Sequence, residues 1–360
     1  MNKVKYKDLV ETTIIPSNIS IEERNLRYAP VLNYVSARVP KRLYRFRTVS
    51  ERSLSALHND ELWFTSGSLM NDDFDARLYY NRRRITEWLE EFLKDDSAVN
   101  TIVSFLTDIH NIEILQKLLP DALDRIENVI KIPHDVLLDN HRKFIRSLLN
   151  NLESELHIIT EQVQSFTKFA CFSTKIHSDM MWGSYSDNAR GFALEYNFGA
   201  NNSLSFYNEN DQLQAIGNLF PILYDRERLD TTEYAKYLFE IKIISDVARL
   251  TNTSYNATLL NSLITCPDLF MVTKLAIKKS LDWKPEDEWR LFYVSAKAEA
   301  ENQKASCVKL RPNAIYLGRK ISSINEKIVT DIAKDKNIPV YKMDFTEDSL
   351  QYRLKGRRIH

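Results

Sequence analysis

Residues 171–195 read Cys171-Phe-Ser-Thr-Lys-Ile-His-Ser-Asp-Met-Met-Trp-Gly-Ser-Tyr-Ser-Asp-Asn-Ala-Arg-Gly-Phe-Ala-Leu-Glu195. The stretch predicts a strand ending at Ser173, a short helix, and a second, alternating strand from Arg190 to Tyr196. Ser178 or Asp179 offers a short side-chain oxygen to the free N–H groups of the first helical turn. Trp182 and Tyr185 lie three apart and share a helix face. Gly191 follows closely, where a residue without Cβ is often needed to leave a helix. Two aromatic residues with polar tips on a short helix between strands make a floor for a flat ligand. On residue type alone the competing reading is favoured, in which they are core aromatics with hydrogen-bonded tips.

Upstream, residues 41–48 alternate as a strand. They put Leu43, Arg45 and Arg47 on one face and Tyr44 and Phe46 on the other. Arginine on the inward face of a strand calls for an anion or a carboxylate nearby. Residues 50–58 predict a short helix opened by Ser50, and Glu61 to Thr65 a second strand. In the turn-rich loop that follows, Asn71, Asp72 and Asp75 can bond local backbone. Residues 1–40 start polar, become helical from about Ile21 and stop at Pro40.

Residues 80–168 differ in character. No glycine occurs between Gly67 and Gly183, and Leu137, Ile145, Leu148, Leu149, Leu152, Leu156, Ile159 and Val163 trace one apolar stripe. Pro120 and Pro133 mark helix starts or breaks. Arg82-Arg83-Arg84 reads as a solvated face. Downstream, Leu204–Tyr207, Leu219–Tyr224, Leu291–Val294, Cys307–Leu310, Ala314–Leu317 and Val340–Phe345 predict strands. Thr231–Val247, most of 254–281 and Ser323–Lys334 predict helices, and Arg353–His360 a frayed basic end. The organisation is therefore an N-terminal helical extension (1–40), an α+β core (41–79 and 169–345), an inserted helical subdomain (80–168) and a basic tail (346–360).

The 360 residues carry 49 basic and 49 acidic side chains, so no global field favours nucleic acid, and such binding needs a local patch. Three scattered cysteines give neither a zinc spacing nor a disulfide framework, which fits a reducing compartment. No signal core and no bilayer-length apolar run is present, so a cytoplasmic protein without a membrane partner is expected. Phosphate-loop, dinucleotide-binding, zinc-protease and nucleophile-elbow motifs are absent. His177 precedes the central helix and reads best as a surface histidine. Polar residues gather at strand ends in three places: Arg45 and Arg47, Trp182 with Tyr185, and Glu286 to Arg290. Glu288 and Arg290 lie one strand period apart and share a face.

Taken in order, Leu-Tyr-Arg-Phe-Arg (43–47), Leu-Trp-Phe-Thr-Ser with Asn-Asp-Asp-Phe-Asp (62–75), Cys-Phe-Ser (171–173), Met-Trp-Gly-Ser-Tyr with Arg-Gly-Phe-Ala-Leu-Glu (181–195) and Glu-Asp-Glu-Trp-Arg (286–290) form a pattern. It resembles the bacterial domain-of-unknown-function family 2971 over about residues 41–345. Asp73 stands where that family usually has proline, which loosens the loop. The order of motifs is also similar to the ADP-ribosyltransferase superfamily. That resemblance implies a mixed or antiparallel β core of that type with a large helical insertion. It implies NAD as substrate, with Arg45 or Arg47 meeting the nicotinamide ribose or a phosphate. Trp182 and Tyr185 would flank the nicotinamide, and Glu288 would bind the ribose 2′-hydroxyl. Ser173, Asn71, Asp75 and Arg290 join the expected binding set, with no metal. The expected role is a bacterial toxin or phage-defence effector with a protein or nucleic-acid acceptor, and a homodimer is compatible with the sequence. Two alternatives stand beside it. One is a Mg²⁺-dependent nuclease or phosphoesterase using Asp72, Asp75 and Glu288. The other is a non-catalytic nucleotide or protein sensor in which Glu288 is a structural partner of Arg290.

Overall fold

The computed structural model describes residues 3–97, 99–100, 103–104, 132–199, 203–207, 213–250, 264–294, 307–346, 350 and 354–360. In chain order the strands are β1 (Leu43–Arg47), β2 (Glu61–Trp63), β3 (Thr65–Ser66), β4 (Thr167–Ser173), β5 (Phe192–Tyr196), β6 (Ser203–Tyr207) and β7 (Leu213–Pro221). They continue with β8 (Leu223–Asp225), β9 (Lys278–Ser280), β10 (Glu288–Val294), β11 (Cys307–Lys309), β12 (Ala314–Leu317), β13 (Val340–Phe345) and β14 (Leu354–Arg358).

An α+β architecture results. A ten-stranded mixed sheet runs β14-β13-β12-β5-β1-β4-β10-β7-β6, with β3 added against β4. Its pairings are antiparallel except β12 with β13, which the helix Ser323–Asp335 connects as a crossover. β1 sits at the centre. Its alternation matches the sequence pattern, because Leu43 joins the main core on one face while Tyr44 and Phe46 join a second cluster with Trp182 and Tyr316 on the other. The first helix, Lys3–Thr12, is tied to the sheet by Tyr6, whose hydroxyl donates to the Pro221 carbonyl at 2.9 Å.

The helices Arg82–Phe92, His134–Asn150 and Leu152–Phe166 supply Ile85, Leu89, Ile145, Leu148, Leu156 and Ile159 to an apolar core. The helix Thr232–Leu250 supplies Phe239 and Ile243 to the same core. The expected stripe is thus cut at Asn151 into two helices that feed the same core. Pro133 stands at the N-cap of the first, as expected. The expected break at Pro120 and residues 254–263 of the expected helical stretch lie outside the described residues.

Several boundaries differ from the sequence reading. The expected strand Glu61–Thr65 divides, because β2 pairs with β11 whereas β3 pairs with β4. Leu219–Tyr224 divides after Pro221, and β8 leaves the large sheet to pair in parallel with β9. Helix ends at Ile277 rather than Leu281, so Lys278–Ser280 is extended. The C-terminal end is not frayed. β14 pairs with β13 from Tyr341↔Arg358 to Phe345↔Leu354, and the burial of Leu354 anchors it.

Candidate active site

The sheet splits where its centre meets β4. β1 pairs with β5 at five positions, Leu43↔Tyr196 through Arg47↔Phe192, but with β4 at one, Tyr44↔Ser173. Beyond that point the two strands part. The residues left on the two lips, Arg45, Phe46 and Arg47 on β1 and Phe169, Cys171 and Phe172 on β4, line a cavity of about 220 Å³. β10 continues the second lip, since Glu288 is in register with Ser173. Arginine, serine and glutamate therefore stand on three successive strands around one opening.

The short helix Asp179–Tyr185 closes one side. Ser178 caps it by accepting from the Met181 N–H. The chain leaves through Asp187, Asn188 and Ala189, all at positive φ (51–63°), a backbone that L-residues adopt at a cost. Gly191 is required for a different reason from the one expected. A Cβ there would stand 2.0 Å from the Arg47 carbonyl oxygen, so the position serves close approach to β1 and not helix termination.

A continuous polar network lines the far side. The Asn71 amide donates to the Tyr185 hydroxyl at 2.9 Å, and that hydroxyl donates to Glu286. Lys279 reaches both Glu286 at 2.9 Å and Glu288 at 3.2 Å. Arg290 holds Glu288 at 2.7 Å and Asp75 at 2.8 Å, and donates to the Ala276 carbonyl at 2.9 Å. The intervening Asp287 sits in the left-handed region, at φ 47 and ψ 54. This turn brings Glu286 and Glu288, two residues apart, onto one lysine. Ser173 fixes the same turn, its hydroxyl donating to the Glu286 carbonyl at 2.6 Å.

Charge is distributed unevenly around the opening. Arg45 is buried, and its one side-chain hydrogen bond runs from Nη2 to the Trp63 carbonyl at 2.6 Å, leaving Nη1 without a partner. Arg47 has no side-chain hydrogen bond or ion pair among the described residues. Burial, reinforced by Arg47, pulls the Arg45 guanidinium down to about 9, which still leaves it charged at neutral pH. Burial lowers Arg47 as well. Burial pushes Glu288 upward, but Arg290 and Lys279 outweigh it and hold the carboxyl well below the usual glutamate range. The Tyr185 hydroxyl is pushed up by burial and by its bond to Glu286, so it stays a donor. Burial and nearby Glu288 raise the Cys171 thiol, which is therefore a poor nucleophile.

Of the residues expected from sequence, Arg45, Arg47, Asn71, Ser173, Tyr185 and Glu288 line the cavity. Asp75 and Arg290 stand behind it as supports for Glu288. Trp182 does not flank the opening. It is buried, its ring meets Phe46 edge-on at 5.0 Å, and its indole N–H donates to the Ile176 carbonyl at 2.7 Å. Asp72, expected as a turn former, accepts from the Phe74 N–H at 3.0 Å. A metal bridging Asp75 and Glu288 would have to displace Arg290 from between them. No group of three His, Cys, Asp or Glu suited to a metal occurs among the described residues. Sequence reasoning missed Lys279 and left Glu286 out of the site. The available signal was the excess of acid in Glu286-Asp-Glu288, which one arginine cannot neutralise when buried.

A family model described as "Protein of unknown function (DUF2971)" matches residues 181–291. The match covers Tyr185, Lys279, Glu286, Glu288 and Arg290 but not β1 or the loop that carries Asn71 and Asp75. No curated protein and no solved structure matches the chain.

Proposed function

We propose that the chain breaks the nicotinamide–ribose bond of NAD; the family match, to residues 181–291 alone, is to proteins of unknown function and names no activity, so this reading rests on the chain's own side chains. The supporting observation is the split between β1 and β4, with Arg45 and Arg47, neither of them in an ion pair among the described residues, on one lip and an ionised Glu288 on the other. The two guanidiniums supply donors for a pyrophosphate. A cavity of about 220 Å³ falls below the roughly 300–1,000 Å³ of a site for a whole ligand. One end of the dinucleotide enters, and the rest lies across the mouth.

The bond that breaks joins the ribose C1′ to the pyridinium nitrogen. Its electron pair leaves with nicotinamide, which becomes neutral, and positive charge builds on C1′ and the ring oxygen. A carboxylate beside that centre stabilises it electrostatically. Glu288 is suited to this task and not to proton abstraction, because a low pKa makes a carboxylate a weak base. The new bond forms from C1′ to water, or to an acceptor nucleophile, which gives up its proton. With water the protein is an NAD glycohydrolase. With a protein or nucleic-acid acceptor it is an ADP-ribosyltransferase, as suits a toxin or phage-defence effector.

A second reading is favoured by one specific observation. Both Glu288 oxygens are held, Oε1 by Arg290 and Oε2 by Arg290 and Lys279. A carboxylate so engaged also suits a nucleotide sensor without turnover. Nicotinamide release from NAD by the purified chain, with and without cell lysate and a chelator, separates the two. Release that ignores the chelator and disappears in Glu288→Gln supports catalysis. Saturable NAD binding without release supports the sensor. Neither release nor binding by folded protein overturns both.

A further inference from the structure

A second cavity, of about 240 Å³, lies on the other side of the segment that carries Asp75. Phe74 and Arg77 supply one wall, the end of β8 with residues 226–229 a second, and β9 a third. Lys279 borders both cavities, although its ammonium is committed to Glu286 and Glu288 in the first.

Arg228 is the fixed element. Its guanidinium carbon lies 5.1 Å from the Phe74 ring centroid and 5.6 Å from that of Tyr79. Its Nη2 donates to the carbonyls of Arg77 at 3.0 Å and Leu78 at 2.8 Å. Stacking and two carbonyl bonds hold the plane in place while Nε and Nη1 keep their donors, with no partner among the described residues. A guanidinium fixed in advance loses little entropy when an anion arrives.

The charges around it do not cancel. Lys278 lies 3.1 Å and Lys7 2.7 Å from Asp225, and Glu11 reaches Lys278 at 3.2 Å and Lys7 at 3.9 Å, so these two lysines and two acids cancel. That leaves Arg77, Arg226 and Arg228 against Glu227 at the cavity, with Asp72 close enough to act on Arg228. Neither Arg77 nor Arg226 makes a side-chain hydrogen bond or ion pair among the described residues. On a chain whose formal net charge is +0, these two arginines together with Arg228, which has no carboxylate partner among the described residues, form a local anion-attracting field at one cavity.

We propose that this second cavity binds the phosphoryl group of a small organic phosphate, with Arg228 as its fixed donor and Arg77 and Arg226 as closing cations. The phosphate arrives either on a separate molecule or as the far end of a ligand that also enters the first cavity. The proposal does not need NAD cleavage to be correct.

Calorimetric titration of inorganic pyrophosphate into the full chain tests it. Arg47→Ala removes a cation of the first cavity, and Arg77→Ala/Arg226→Ala removes the other two arginine side chains of the second while leaving that of Arg228. The expected result is one pyrophosphate site that survives Arg47→Ala to within about twofold. The same site weakens by about tenfold or more in Arg77→Ala/Arg226→Ala, the loss expected for charge-assisted hydrogen bonds. NAD titrated into Arg77→Ala/Arg226→Ala then distinguishes the sources. Unchanged NAD affinity assigns the site to a separate phosphate, and a parallel tenfold loss assigns it to a ligand spanning both cavities. Pyrophosphate affinity that is unchanged when Arg77→Ala/Arg226→Ala is added to Arg47→Ala, with a circular dichroism spectrum like that of the parent, overturns the proposal. Absence of saturable pyrophosphate binding in Arg47→Ala overturns it too.

Discussion

Arg290 grips Glu288, its neighbour two residues back on β10, through Nε to Oε1 at 2.7 Å and Nη2 to Oε2 at 3.2 Å. It does so with no exposed surface of its own, while holding Asp75 from the loop before the helical segment. One guanidinium therefore joins two distant segments and orients the carboxylate at the split. Removing it leaves three buried acids, Asp75, Glu286 and Glu288, with Lys279 as the nearby cation. Arg290→Leu is expected to cost about 3–5 kcal/mol of folding stability, as breaking a buried pair from one side does. Urea unfolding measures this. Adding Asp75→Asn should recover part of the loss, and a double variant no more stable than Arg290→Leu would contradict the pairing.

Arg45 presents the reverse case. Its charge is buried without a carboxylate, and Nη1 has no partner. Such a group is costly to fold, and the proposed reading gives it an anion to meet. Arg45→Met should leave the melting temperature unchanged or raise it, while NAD affinity falls by about tenfold or more. A variant that loses stability and keeps its affinity would show that Arg45 serves the core.

The Glu288 pKa gives a pH signature. A carboxyl held below its ordinary value contributes stability that is present above the unfolded-state pKa and disappears as pH falls through the folded-state pKa. The window therefore opens below the ordinary glutamate value of 4.5 and extends downward. Asp75, which burial pushes upward despite Arg290, works in the opposite sense. The comparison with Glu288→Gln isolates the term. Between pH 7 and pH 3 the stability gap between parent and Glu288→Gln should narrow. A gap independent of pH would exclude the shift.

Much of this arrangement was legible in the sequence, and the reasons it was incomplete are physical. Strict alternation over Leu43–Arg47 gave β1 and its two inward arginines, because side-chain period is a local property. The spacing of Glu288 and Arg290 gave their shared face for the same reason. Lys279 was hidden because Lys278–Ser280 makes a three-residue strand whose partner β8 lies more than fifty residues away, and no local period announces such a pairing. Trp182 stood open between core and ligand floor, with core favoured on residue type, because three-residue spacing puts it and Tyr185 on one helix face without telling which part of that face is covered. Phe46 covers it. The split itself was invisible, since it consists of backbone pairs that do not form.

Gly191 provides a test of the split's geometry. A methyl group there would overlap the Arg47 carbonyl at 2.0 Å and press on the Ser186 carbonyl at 3.0 Å. Neither oxygen can retreat freely, since Ser186 O accepts from the Gly191 N–H at 2.7 Å and Arg47 lies in the β1–β5 ladder. Gly191→Ala should cost about 1–3 kcal/mol in stability, the range for forcing extra volume into a packed site. NAD affinity should fall with it, because the displaced backbone carries the Arg47 side chain. A calorimetric melt and an NAD titration on the same sample check both parts.

Trp182 separates core packing from ligand contact. Trp182→Phe keeps an aromatic ring against Phe46 but deletes the indole N–H that satisfies the buried Ile176 carbonyl. An unsatisfied buried acceptor costs about 1–3 kcal/mol. Turnover or binding of NAD should nevertheless persist once the sample is assayed well below its unfolding transition, since Trp182 does not line the cavity while Tyr185 does. Tyr185→Phe should do the opposite. It removes a hydroxyl that joins Asn71 to Glu286 at the cavity wall, so NAD handling should suffer more than the melting temperature. If Trp182→Phe abolishes NAD binding while the protein stays folded, the indole reaches the ligand after all, and the floor of the site lies deeper than the split between β1 and β4.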